Sequence, residues 1–207
     1  MRIELRNDSI VLDGYVNAVD RDSRPIPSTL GKFIERMMPG VFKRALARAQ
    51  NVDLLLDHNK KIGSTSEKTL ILREDNIGLR ATCTITDKDV IEKARNKQLR
   101  GWSFGFKPLK QKIEDVGNGM QRRNVEDIEL LEVSIIDNNM LPCYIGTSIE
   151  QRADNTDITT EIRGCDFEPD YVDNTKKVEE RSEEKSKSYD NSLYKQKLQI
   201  LNLKMEE

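Results

Sequence analysis

The sequence is poor in the residues on which metal, redox and membrane functions depend. It has one histidine, His58, one tryptophan, and three cysteines among 207 residues, and aromatic residues make up only 5% of it. A single imidazole cannot build a multi-histidine metal centre, and the H-E-x-x-H pattern of a zinc peptidase is absent. Cys83, Cys143 and Cys165 are odd in number and widely spaced, which suits free thiols in a reducing compartment and argues against a disulfide framework. No apolar run approaches the roughly 20 residues that a membrane span requires. The opening MRIELRNDSIVLDGYV lacks the uninterrupted apolar core of an export signal, so a soluble, unexported chain is expected. Lys and Arg number 34 against 36 Asp and Glu, a formal net charge of -2, so no basic field points to nucleic acid or an anionic membrane surface. There is no internal repeat.

The apolar residues are concentrated in the first three quarters of the chain. Residues 2–20 read as an entry strand or hairpin, and RDSRPIPSTLG, residues 21–31, reads as a loop. Pro39 and Gly40 introduce a helix over VFKRALARAQ, with Val41, Ala45 and Ala49 at helical spacing and Phe42 and Leu46 beside them. Strand candidates follow at VDLLLDHN, KTLILRED, GLRATCTIT, RGWSFGFKP and IELLEVSIID, with one helical insert near DVIEKARNK. Many short strands and few helices predict a mainly β protein, a barrel or sandwich with peripheral helices. After about residue 152 large apolar residues become scarce, and residues 153–188 read as a polar, charged linker. Tyr194, Leu198, Leu201 and Met205 then form one helical stripe, so residues 189–207 are expected to be a short amphipathic helix that needs a partner to order it.

Two segments carry chemistry. In LLLDHN, strand alternation puts Leu54, Leu56 and His58 on one face and sets the ring at the end of a buried strip. In RGWSFGFKP the same alternation puts Trp102, Phe104 and Phe106 on one face and Gly101, Ser103 and Gly105 on the other. Ser103 therefore stands between two residues without side chains, where another backbone, such as a peptide substrate, can approach its hydroxyl. The plainer alternative is a core strand whose glycines mark a bulge. GWSFG also fits the G-x-S-x-G nucleophile elbow, but that motif requires the order Ser, acid, His, and the sole histidine precedes Ser103.

A serine nucleophile with a histidine base needs a third group to orient the ring. In IELLEVSIID, strand alternation places Leu130, Glu132, Ser134 and Ile136 on one face and Leu131, Val133 and Ile135 on the other. Glu132 is then a carboxylate in a segment apolar on both sides, and burying it unpaired would be costly. It is preferred as third member, followed by Glu129, with Asp57 and Asp127 behind. A different order, with Asp75 or Asp87 as the acid, remains open, as does a rim glutamate paired with a surface cation.

The matches GYVNAVD, PGVFKRAL, LLDHN, IGLRATCTI, GWSFGFKP and LLEVSIID, in that order over about residues 12–142, resemble the caudovirus prohead serine proteases, relatives of the herpesvirus capsid-maturation protease assemblin. One departure is Pro142-Cys143, where the family usually has Pro-Ala. The resemblance implies His58 as base, Ser103 as nucleophile and Glu132 as third member. It also implies a herpesvirus-protease-like closed β-barrel flanked by helices, residues 1–152, with no cofactor or metal. The implied activity is a serine endopeptidase cutting major capsid protein and scaffold segments, and itself by autocleavage, inside the assembling prohead in the host cytoplasm. A homodimer is expected, and the tail would serve as a removable targeting or scaffold-binding segment. The competing reading is a non-enzymatic capsid-assembly protein that keeps a degenerate protease fold. Under the protease reading, activity should fall between about pH 8 and 5 as the imidazole gains a proton.

Overall fold

The computed structural model describes residues 1–28, 31–138, 160–166 and 169–175. Met1–Asp173 forms one compact unit and Asn174–Glu207 a second, and the elements below belong to the first. The expected amphipathic helix at 189–207 lies outside the described residues.

Short apolar-alternating segments pair into two sheets. The first has the order β12 (Asp170–Asp173), β1 (Arg2–Leu5), β2 (Ile10–Ala18), β8 (Gly78–Ile85), β7 (Leu70–Glu74). The second runs β11 (Glu161–Asp166), β9 (Leu99–Asp115), β10 (Gln121–Asp137), β4 (Gly31–Met37), β3 (Ile26–Ser28). It also carries β5 (Asp53–Leu56) and β6 (Lys60–Ser64), because β10 pairs in parallel with β4 over Gln121–Val125 and with β5 over Glu132–Ile135.

The mainly β class is as expected, but the closed barrel is not formed: among the described residues neither sheet closes on itself. The second sheet forks where β10 divides its outer side between β4 and β5, and among the described residues β12, β7, β11, β3 and β6 each have one strand neighbour. The expected loop at 21–31 contains β3 and opens β4. Pro27 fits there because, among the described residues, β3 pairs only with β4 and its other edge carries no ladder bonds. Residues 161–166 and 170–173, inside the expected linker, are strands as well.

The two expected helices are present. In α1 (Val41–Arg48), Val41, Phe42 and Ala45 are buried, and the Glu74 carboxylate accepts from the Gly40 and Lys43 amides, both at 2.6 Å. That carboxylate occupies the place a capping side chain would take, since Gly40 has none to offer. In α2 (Lys88–Arg95), Asp87 caps the first turn through the Asp89 and Val90 amides.

A single apolar cluster takes side chains from both sheets and both helices, with the aromatics of β9 at its centre. Trp102, Phe104 and Phe106 are fully buried, Phe104 stacks on Phe106 at 5.4 Å between ring centroids, and Phe42 meets Phe104 edge-on at 5.5 Å. The sheets approach closely at Gly14 of β2, where a Cβ would lie 3.1 Å from the Trp102 indole nitrogen. Cys83 is free and buried, and desolvation pushes its thiol up to about 12, which removes it as a nucleophile. Among the described residues no helix is long and apolar enough to cross a membrane.

Phe104→Ala should lower the free energy of unfolding by about 3–5 kcal/mol in denaturant titrations. Ile71→Ala, at a side chain 62% exposed, should change it by less than about 0.5 kcal/mol. Equal effects would contradict this placement of the core.

Candidate active site

The site is laid out by the antiparallel register of β9 and β10, in which Ser103 stands opposite Ser134 and Gly105 opposite Glu132. Directly opposed residues project to the same face, so Ser103, Ser134 and Glu132 share one surface of the sheet. Trp102, Phe104 and Phe106 occupy the other, as the alternation of RGWSFGFKP predicts. On β10 the expected faces hold for Val133 and Ile135, which are in the core, and for Glu132. Leu130 departs: it is 3% exposed and belongs to the core cluster, because a register shift between Leu130 and Glu132 inverts the alternation there.

His58 does not continue the face of Leu54 and Leu56. β5 stops at Leu56, and Asp57 and His58 take positive φ values of 51° and 58°. Two successive non-glycine residues in the left-handed region turn the chain sharply, at a conformational cost that the following contacts offset. The Asp57 amide donates to the Ile135 carbonyl at 2.9 Å, the His58 amide to Ser134 Oγ at 3.3 Å, and the Asn59 amide to the Leu56 carbonyl at 3.1 Å. The turn thereby folds the imidazole back over β10.

There His58 Nδ1 lies 2.8 Å from Glu132 Oε1, with both side chains largely buried. Ser134 Oγ donates to Glu132 Oε2 at 2.6 Å, so both carboxylate oxygens are held. The tautomer with its proton on Nδ1 donates to Glu132 and leaves Nε2 with a lone pair, the form a general base requires. Gly105 is part of this arrangement, since a Cβ there would stand 2.6 Å from Glu132 Oε1.

The other candidate carboxylates are engaged elsewhere. Glu129 is exposed and pairs with Lys107 at 3.7 Å, Asp127 pairs with Arg48 at 2.6 Å, Asp75 accepts from Tyr15 at 2.8 Å, and Asp87 holds Lys60 and caps α2. Asp57 accepts the Asp137 amide at 2.9 Å, while Asp137 holds Lys93 at 2.8 Å; burial pushes the Asp57 carboxyl above its ordinary value. These contacts brace the turn independently of Glu132.

Ser103 is 2% exposed, and its hydroxyl donates to the Arg163 carbonyl at 2.8 Å. Among the described residues it has no hydrogen bond to His58. The Arg163 carbonyl belongs to β11, which pairs antiparallel with the free side of β9 so that Gly164 stands opposite Ser103. Four charged groups secure that strand. Arg163 donates to both oxygens of Glu35 at 2.7 and 2.9 Å, and Arg123 donates to both oxygens of Glu161 at 2.6 and 2.7 Å. Arg163 also reaches Glu161 at 2.5 Å, Arg123 reaches Glu35 at 3.1 Å, and the Arg163 guanidinium lies over the Phe106 ring at 5.5 Å. Sequence reasoning missed β11 and this cluster, because TEIRGCD offers one large apolar residue and its charges find partners far away in the chain.

A family model for the caudovirus prohead serine proteases matches residues 1–161. The chain belongs to that family. No curated protein and no solved structure matches it.

Two outcomes follow from this geometry. Gly105→Ala should leave the fold intact, because the clashing atoms belong to a flexible side chain, yet it should displace Glu132 from His58. The His58 ring proton that the Glu132 carboxylate accepts should then lose its downfield resonance in Gly105→Ala; an unchanged resonance in a folded variant would contradict the placement. The second concerns Glu161. Burial alone would raise its carboxyl, but the hydrogen bonds from Arg123 and the charges of Arg163 and Arg123 outweigh burial and hold it below its ordinary value, with Glu35 the other acid facing the cluster. A lowered folded value contributes stability that is present above the ordinary carboxylate range, near about 4.3, and is lost as pH falls through the folded value. Acidification from pH 7 should therefore release β11 before the core unfolds, read from the Gly164 and Phe104 amide resonances. Simultaneous loss of both signals would contradict it.

Proposed function

We propose that this chain is the maturation protease of a tailed-phage prohead, a serine endopeptidase that cuts capsid and scaffold protein segments, and itself, inside the assembling particle. The observation that carries the reading is the 2.8 Å contact between His58 Nδ1 and Glu132 Oε1, on the sheet face that also bears Ser103. Family membership supplies the serine-peptidase chemistry and the prohead setting.

In this mechanism Ser103 Oγ attacks the scissile carbonyl while His58 Nε2 takes its proton, and His58 then passes that proton to the leaving amine. Water, activated by the same imidazole, releases the acyl group. Glu132 fixes the ring and its tautomer and stabilises the imidazolium that forms, and Ser134 fixes Glu132 in turn. The mechanism requires the Ser103 hydroxyl to turn from the Arg163 carbonyl to Nε2. The protease domain takes in β11 and β12, and the remaining tail is the removable segment; self-association is part of the same proposal.

The test is co-expression with the capsid and scaffold proteins of the same phage, read by gel and mass spectrometry. Ser103→Ala should leave every substrate uncut. Glu132→Gln should lower the rate by about 100- to 10,000-fold, the usual span for loss of an oriented general base. Identical, uncut patterns for the wild type and Ser103→Ala, under conditions that assemble proheads, would instead favour a non-enzymatic assembly role.

A further inference from the structure

The second sheet presents the backbone of β9 on the side away from β10, and β11 takes that position with its Arg163 carbonyl on the Ser103 hydroxyl. A protease substrate adds to an enzyme in this way, as an extended strand on a sheet edge, with main-chain bonds giving affinity and alternate side chains giving specificity. The alternate side chains of β11 meet a paired receptor. Glu161 is gripped by both ends of the Arg123 guanidinium, and Arg163 grips both oxygens of Glu35, three strands away on β4. Glu35 is 4% exposed. Bidentate pairs of opposite polarity, set two residues apart, discriminate against the reversed charge order, since each reversal would bury like charges against each other. Opposite Ser103 the strand has Gly164, where a Cβ would lie 3.7 Å from the hydroxyl, so a small residue fits there.

We infer that the outer edge of β9 is the substrate-docking edge, that β11 occupies it as a substrate would, and that Arg123 and Glu35 select segments with an acidic residue two positions before a basic one and a small residue after it. The inference rests on the protease reading and names the substrate class of that same site. The carbonyl presented to Ser103 is that of the basic residue. Ser103 Oγ bonds to that carbonyl carbon, the bond to the following nitrogen breaks, and the Ser103 proton passes through His58 to the departing amine. Water then splits the ester: its hydroxyl adds to the acyl carbon, one of its protons passes through His58 to Ser103, and the other leaves to solvent as the new carboxyl group of the basic residue ionises. All but the first residue of β11 lies beyond the family match.

The test separates docking from chemistry. In the full chain carrying Ser103→Ala, Glu161→Ala and Arg163→Ala, the edge loses its own occupant while the Arg123–Glu35 pair remains. A fluorescent peptide of residues 160–166 should bind this protein at least tenfold more tightly than a peptide with the Glu and Arg interchanged, read by anisotropy. Equal binding of the two, or binding of neither, would overturn the inference. Should that triple variant fail to fold, cut sites are mapped instead on capsid and scaffold proteins with otherwise wild-type enzyme. Cuts should follow a basic residue placed two after an acidic one, and Glu35→Gln should erode that preference; cuts elsewhere, unaltered by Glu35→Gln, would overturn the inference while leaving the protease reading intact. The reverse result, peptide discrimination without any cleavage by the wild type, would support the docking edge and overturn the protease reading.

Discussion

The antiparallel ladder between β9 and β10 fixes where Ser103, Ser134 and Glu132 stand, and the rest of the candidate site is built against it. Each strand is 17 residues long, and their pairing runs from Leu99 opposite Asp137 to Asp115 opposite Gln121. A slip of one residue would carry Trp102, Phe104 and Phe106 out of the core and Ser103 into it. Three large aromatics, fully buried, therefore hold the register as firmly as the hydrogen bonds do. With the register set, Ser103 must face Ser134 and Gly105 must face Glu132. The local shift beside Leu130 belongs to the same constraint, because it lets an apolar side chain enter the core just before the strand offers its carboxylate to the other face.

On this platform the turn at Asp57 and His58 is the costly part. It places two non-glycine residues at positive φ, and its contacts come from three directions: the Ile135 carbonyl, the Ser134 hydroxyl and the Asp137 amide. The imidazole is thus held by main-chain contacts as well as by Glu132. Glu132 is itself over-determined, with a hydroxyl on one oxygen, an imidazole on the other and a glycine opposite that leaves it room. Geometry of this kind persists only where the surrounding packing enforces it, which is why strained turns of this sort concentrate at functional sites.

Much of this was legible in the sequence because it depended on strict alternation. The aromatic wall, the placement of Ser103 and Gly105, and the isolation of Glu132 among apolar residues all follow from a period of two. What escaped depended on distant partners or on departures from that period. His58 was expected on the face of Leu54 and Leu56, but a left-handed turn reversed it; Asp and His tolerate positive φ better than most residues, yet alternation carries no trace of that. Leu130 was misplaced by a bulge that alternation cannot foresee. The closed barrel was expected from resemblance, whereas β10 forks between β4 and β5 and neither sheet closes among the described residues. β11 looked like linker because it is held by four charges, three of them buried, spread over β4, β10 and β11, and charge pairs between distant segments leave no periodic trace.

A hydroxyl has one proton, and that limits what Ser103 can do in this arrangement. While its hydrogen is directed to the Arg163 carbonyl it cannot be directed to His58 Nε2, so the contact that seats β11 is incompatible with the contact that starts acyl transfer. The 2% exposure of Ser103 adds a second barrier, because no incoming carbonyl can reach the hydroxyl while the strand is in place. Catalysis in the proposed mechanism therefore requires a rearrangement at the edge of β9. The bonds that resist it are the two bidentate pairs of Arg163 with Glu35 and Arg123 with Glu161. A segment carrying the same two charges in the same order could replace those bonds one for one as β11 leaves, so the exchange need not pass through a state in which Glu35 and Arg123 face an empty edge.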